Sequence, residues 1–377
     1  MAVIAIAIAM AAVVLALPAQ AQTYTVLYNF TGTGGDGGGP IGRLIRDSAG
    51  NLYGTTTGGG AFGFGTVFKL DARDTETVLY SFAGGASGDG ESPYSGLTRD
   101  RLGNFYGTTF KGGTYGLGTI YKIDATTHNE TLVYSFAGVD GANPVADIVQ
   151  DNVGNLYSTT HNGGFSGYGT VYKLAPDGTE TVLYSFPSAQ IALYPSGLVR
   201  DAAGNIYGTT GFGGAQESGT VFELDASGTE TTLYSFTALD GEDPYATLIR
   251  DEFGNLYDTT EAGGVFGRGT VFKLDNAGTE KVLYSFTGKR DGGYPYSGII
   301  RDAEGNFYGT TQGGGALKYG TIFKIGPAGR ISVLHSFTGT DGYSSFTSLI
   351  EDSAGNLYGV TAAGGAFDVG VVFKVTP

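Results

Sequence analysis

The chain has 377 residues, with 36 acidic against 21 basic side chains, a formal net charge of −15 at pH 7, and neither Cys nor Trp. An acidic surface of this kind repels phosphate backbones, which argues against nucleic acid as a partner, and the lack of Cys removes disulfides, thiolate metal sites and cysteine nucleophiles. Gly (67) and Pro (11) make up about a fifth of the chain, yet 25 Tyr and 23 Phe supply more apolar surface than disordered acidic chains possess.

Residues 1–21 form an uncharged apolar run that ends in Pro18 and the small-x-small pattern Ala19-Gln20-Ala21. This predicts a signal peptide cleaved before Gln22, and hence a secreted protein, extracellular, at the cell surface or in the periplasm, with no stable membrane insertion afterwards. A basic n-region is missing, and a retained membrane anchor is the competing reading, since the run is nearly long enough to span a bilayer.

From Gln22 onwards the chain is a tandem array. The tetrad Gly-Asn-(Leu/Phe/Ile)-Tyr begins at Gly50, Gly103, Gly154, Gly204, Gly254, Gly305 and Gly355, with spacings of 53, 51, 50, 50, 51 and 50. Repeat five shows the parts in order: TTLYSF, a loop with DGEDP, YATLIRD, EFGN, LYDTT, EAGGVFGRG and TVFKLD. Four segments per unit are short, rich in Tyr, Phe, Val, Ile and Thr, and bounded by Gly, Asp, Asn or Pro, which predicts strands; no helical period appears. A lone four-stranded sheet cannot bury both faces, whereas radial packing of such sheets can, and a period near 50 with four strands per unit marks a propeller. The prediction is therefore an all-β, seven-bladed β-propeller of four-stranded antiparallel blades in one domain, 22–377. The chain opens on the fourth-strand motif YTVLYNF (24–30) and ends on the third-strand motif VVFKV (371–375), so the N-terminal strand is expected to join the last blade and close the ring.

The Gly-Gly pair after the second strand, followed by TVFKLD-type segments, is similar to kelch repeats, although their Trp is absent. LYSF, DG, NPY, GLI, GNLYGTT, GGG and GTVFKL more closely resemble the bacterial tandem repeat called GloVer, over essentially all of residues 24–377. That resemblance implies a secreted or surface-anchored propeller of unassigned biochemistry, often with a C-terminal sorting segment; the sequence stops at Pro377 without one, a departure from the pattern.

The loops between second and third strands and those between blades should share one face. Asp-Gly recurs there at Asp36, Asp89, Asp140, Asp240, Asp291 and Asp341, often followed by Pro-Tyr, while repeat four reads PSAQIALYP instead. Aromatic rings beside carboxylates suit sugars, with the ring stacking and the acid accepting from hydroxyls, so Asp89, Tyr94, Asp140, Asp240, Tyr245, Asp291, Tyr296 and Asp341 are candidate ligand-binding residues. The competing reading is that Asp-Gly and Pro only make turns and the Tyr residues fill space between blades. Calcium is disfavoured, because each loop offers one or two carboxylates where six or more oxygens are wanted. Lys in the third strand and Glu opening the fourth suggest cross-strand ion pairs.

Catalysis needs unlike groups at one point, and seven similar repeats offer little asymmetry. The breaks fall in repeats three to five, where Ser158 and Asp258 replace a Gly and His161 and Glu261 replace small or uncharged residues. Asp258 and Glu261 could act as acid and base on a glycan, and His161 is a further catalytic candidate, although drift at exposed loops explains them as well. The expectation is a monomeric binding or interaction scaffold for polysaccharide or a surface protein, without cofactor or metal; a glycan-active hydrolase or lyase and a purely structural surface protein are the alternatives.

Overall fold

The computed structural model describes residues 22–188 and 193–377; the expected signal peptide, residues 1–21, lies outside them. The described residues form seven four-stranded antiparallel sheets arranged as the blades of a propeller. Blade one consists of Ile45–Arg46, Leu52–Thr56, Thr66–Leu70 and Glu76–Ser81, and blades two to six repeat this pattern. Blade seven takes Ile350–Glu351, Leu357–Thr361 and Val371–Thr376 from the end of the chain and Thr23–Asn29 from its beginning. Thr23 pairs with Thr376 and Asn29 with Val371, so the first strand closes the ring as the repeat phase predicts.

The blades are held together by aromatic rings. The Phe of each LYSF-type motif (Phe30, Phe82, Phe136, Phe186, Phe236, Phe286, Phe337) is completely buried. Each meets, edge to face, an aromatic ring on the third strand of the following blade: Phe82 against Tyr121 at 4.9 Å, Phe186 against Phe222 at 5.4 Å, Phe337 against Phe373 at 5.8 Å. Room for that ring comes from a glycine on the second strand, since a Cβ on Gly54 would lie 2.8 Å from Phe68 Cζ. A one-residue bulge between third and fourth strands recurs in every blade, as at Val67/Phe68, and re-aims the outer strand.

The turn after each first strand is locked by its Asp. Asp47 accepts from the Asn51 N–H at 2.9 Å, Asn51 Nδ2 at 2.8 Å and the Tyr53 hydroxyl at 3.0 Å. Burial pushes the carboxyls of Asp47, Asp151, Asp251, Asp302 and Asp352 up, and hydrogen bonds of this kind more than offset it, holding them below the ordinary carboxylate range.

The expected Lys–Glu pairs do not form. Glu76 stands opposite Leu70 while Lys69 faces Thr77, a one-residue offset that turns the two side chains to opposite faces of the sheet. Glu76, Glu130, Glu180 and Glu280 are half-buried, each with an unpartnered Oε1. Burial first, and then Asp36, Asp89, Asp140 or Asp240 from the loop behind, pushes each of these carboxyls up to about 7.

Two tests follow from this packing. Phe186→Ala should destabilise the fold by about 3–5 kcal/mol in denaturant unfolding, since it empties a sealed inter-blade contact. Raised Glu pKa values mean that the folded state holds more protons than the unfolded one between pH 4.5 and 7, so stability falls as pH rises through that window. The lowered Asp residues act oppositely, losing stability only below their ordinary 3.8. Calorimetry from pH 4 to 8 should therefore give its highest melting temperature near pH 4.5, and a flat profile would refute the carboxyl account.

Candidate functional site

The chain reaches the channel mouth through one repeated backbone device. The residue before each inter-blade Pro, or its equivalent, is left-handed: Gly39, Ser92, Asn143, Tyr194, Asp243, Tyr294 and Ser344 all have φ between 55° and 66°. Six of these are not glycine, a conformation held only where the surroundings enforce it. Ser92 shows how: its N–H donates to Phe64 O of the blade behind at 2.9 Å, and its carbonyl accepts from Phe110 N of its own blade at 2.9 Å. The Pro then packs where a Cβ on Gly65 would be, 2.6 Å from Pro93 Cδ, and the next residue is delivered to the mouth.

What collects there is a cavity of about 460 Å³. Rings on and beside its wall form an arc, in which Phe212 links lining residues without itself lining the cavity: His161 meets Tyr194 at 4.1 Å, Tyr194 meets Phe212 at 5.8 Å, and Phe212 meets Tyr245 at 6.1 Å. Tyr245 then stacks on Tyr296 at 5.2 Å with 22° between planes, and Tyr296 meets Phe346 edge-on at 5.4 Å. Tyr94, which is 41% exposed, stands apart from the arc, packed on Phe110 at 5.1 Å. The polar groups of the lining include one ion pair, Arg43 Nε to Asp147 Oδ2 at 3.1 Å, which joins blades one and three past the backbone of blade two; the Gly96 N–H also donates to Asp147 at 2.6 Å.

Sequence reasoning named Tyr94, Tyr245 and Tyr296 as ligand-binding candidates and His161 separately as a catalytic one, and all four line this cavity. It missed Phe110, Tyr194, Phe212, Phe346, Arg43 and Asp147. The available signals were Phe110 directly after Thr-Thr, Phe212 one residue further on in its repeat, and Phe346 standing where three other repeats have Tyr. Tyr194 is displaced because repeat four is one residue shorter between Pro195 and Leu198, where the strand register shifts.

The repeated loop aspartates sit elsewhere, as fasteners of their own loops. Asp89 accepts from the Tyr80 hydroxyl at 2.9 Å, Ala83 N at 2.7 Å and Gly90 N at 2.6 Å. Asp140 holds Tyr134 and Ala137 N, Asp240 holds Tyr234 and Thr237 N, Asp291 holds Tyr284 and Thr287 N, and Asp341 bonds His335 and Thr338 N. Among the described residues, no cluster of three or more His, Asp or Glu could hold a metal ion.

The candidate acids separate. Asp258 is fully buried, opposite Phe272 in the strand register, with neither carboxylate oxygen bonded. It occupies the space that Gly gives the third-strand ring in five other blades, and burial raises it to about 8, so at neutral pH it is an uncharged acid sealed from ligand. Glu261 lies at the mouth, its N–H on Asp243 O at 3.0 Å. Burial and then Asp243 raise Glu261, while burial and then Glu242 raise Asp243 to about 6. Burial lowers His161 to about 4, which leaves it neutral.

Asp258→Gly should restore the standard packing and raise stability at pH 7, on the order of a few kcal/mol, with the gain shrinking toward pH 4 as the native carboxyl is protonated in both states. Urea unfolding of both proteins at the two pH values tests this; an equal difference at both pH values would show that ionisation of Asp258 is irrelevant.

Among known structures, the chain is similar to virginiamycin B lyase from Staphylococcus aureus, at 14% identity and a TM-score of 0.63 over 94% of this chain and 99% of that one. A streptogramin B lyase gives 13% identity and a TM-score of 0.65, over 94% and 97%. An extracellular domain described as that of a hybrid two-component system from B. thetaiotaomicron gives 13% and 0.60, over 94% of this chain and 41% of that one. These likenesses establish the shared fold. No curated protein matches by sequence. The Gloeobacter/Verrucomicrobia repeat model matches residues 11–153, 140–303 and 254–377, and the chain accordingly belongs to that repeat family.

Proposed function

We propose that the protein is an extracellular binding scaffold that takes carbohydrate at the upper mouth of its channel. The observation that carries this reading is the aromatic arc from His161 to Phe346, with half-buried, mutually stacked Tyr245 and Tyr296, in a cavity whose lining also holds the Arg43–Asp147 pair. A pyranose offers an apolar face to such rings and hydroxyls to such a pair. An outer set of aromatic tips supports an extended ligand: Phe62 (61% exposed), Tyr115 (61%), Phe165 (96%) and Phe367 (58%) stand on the second-to-third-strand loops of blades one, two, three and seven. An exposed position outside the cell fits the signal-like residues 1–21, and no described helix is long and apolar enough to cross a membrane.

A second reading, glycan cleavage, is favoured by one pair of groups. Asp243 and Glu261 hold protons more tightly than ordinary carboxylates and lie near Tyr245 and Tyr296, as proton-transferring groups would.

Binding of the protein to a polysaccharide panel should be saturable, and Tyr245→Ala and Tyr296→Ala should each weaken it about tenfold, or some 1.4 kcal/mol. Binding without oligosaccharide release supports the scaffold; release abolished by Glu261→Gln would make it an enzyme. Binding to a protein ligand but to no polysaccharide would replace the carbohydrate assignment.

A further inference from the structure

On the opposite face, the arginine that ends the first strand fills a slot between blades. Arg46 lies over Tyr358 of the preceding blade at 5.6 Å, Arg99 over Tyr53 at 5.9 Å, Arg200 over Tyr157 at 5.0 Å, Arg250 over Tyr207 at 5.3 Å and Arg301 over Tyr257 at 5.7 Å. On its other side each guanidinium touches the turn glycine of its own blade, with Nη2 3.0 to 3.3 Å from where a Cβ on Gly50, Gly103, Gly204, Gly254 or Gly305 would stand. In blade five the group also reaches the Asp201 carboxylate of blade four at 4.0 Å.

Two blades break the series, since Glu351 stands at this position in blade seven and Gln150 in blade three. The slot between blades two and three is open: a cavity of about 460 Å³ lined by Tyr106, Asp100, Gln150 and Gly154. The nearest atom to a Cβ on Gly154 is Pro176 Cγ at 3.4 Å, with no guanidinium in the way. The tyrosine, aspartate and turn glycine that receive the first-strand arginine in the five filled slots are therefore present and that arginine is not; Arg101 of the blade-two turn also lines the cavity, with its Nη2 donating to Asn152 Oδ1 at 3.3 Å instead of lying over the Tyr106 ring.

We propose that this slot binds a guanidinium group from outside the chain, with the cation over the Tyr106 ring and beside the Asp100 carboxylate, and its alkyl stem along Leu156 and Val133. Lys122 does not exclude it. Lys122 Nζ lies 5.9 Å from the Tyr106 ring centre, and Lys273 lies 5.8 Å from Tyr257, whose slot still holds Arg301. The chain's net charge of −15 further favours a cation.

The test is saturation-transfer NMR on the full chain with agmatine, with a capped Gly-Arg-Gly peptide, and with the same peptide carrying neutral citrulline. The arginine peptide should bind saturably and about fivefold or more tighter than the citrulline peptide. Gln150→Arg, which supplies the missing side chain from within, should abolish binding and raise the melting temperature; Tyr106→Leu should weaken binding without filling the slot. Tighter binding of the peptide than of agmatine identifies a polypeptide source, and equal binding a small guanidinium compound. Equal affinity for arginine and citrulline peptides, or binding unchanged in both variants, overturns the proposal.

Discussion

The fold depends on the edge-to-face contact between the Phe that ends one blade's outer strand and the aromatic ring on the next blade's third strand. Seven such contacts, with centroids 4.9–5.8 Å apart, join sheets that individually have no stable way to bury their faces. Other features of the repeat serve this contact. The second-strand glycine clears space for the receiving ring, and the Asp-Gly loop ties down the Tyr or His two residues before the Phe. Because the contact lies between neighbours in space and closes on itself, its strength is shared around the ring.

This symmetric frame leaves the two faces free to differ from blade to blade. At the upper mouth, the residue after each Pro varies among Ile, Tyr, Val and Ser, with Phe346 after Ser345 in blade seven, which crowds rings onto one side and leaves Arg43 and Asp147 on the other. At the lower face, Gln150 and Glu351 replace the arginine that the other five blades carry, and the slot at Gln150 is open. The asymmetry between blades thus comes from a few side chains at fixed backbone positions, not from altered folding.

Blade number, strand order and ring closure were legible in the sequence because they follow from a period and its phase, which survive any local ambiguity. The site was legible only in part. Tyr94, Tyr245 and Tyr296 could be placed because Pro precedes each of them. Asp89 and its equivalents could not be assigned a direction: whether a loop carboxylate faces solvent or folds back on Tyr80 depends on an outer-strand bulge that leaves no composition signal. The Lys–Glu pairing failed on a register offset of one residue, and Asp258 resembled a loop acid although the alternation of the strand puts it inside. Arg43 and Asp147 are far apart in sequence and meet only because the ring curves.

Closure by Thr23–Asn29 against Val371–Thr376 gives the molecule a seam without a covalent bond. During synthesis, at roughly 5–20 residues per second, the first strand waits on the order of tens of seconds before its partner exists. Over that interval it carries an open edge whose only matched template, among the described residues, is the end of the same sequence. Two chains emerging side by side each present the strand that the other lacks, and an exchange would use the same register and the same buried rings. The interlocked pair would be nearly as well packed as two separate rings, which makes the spacing between nascent chains a determinant of which assembly forms.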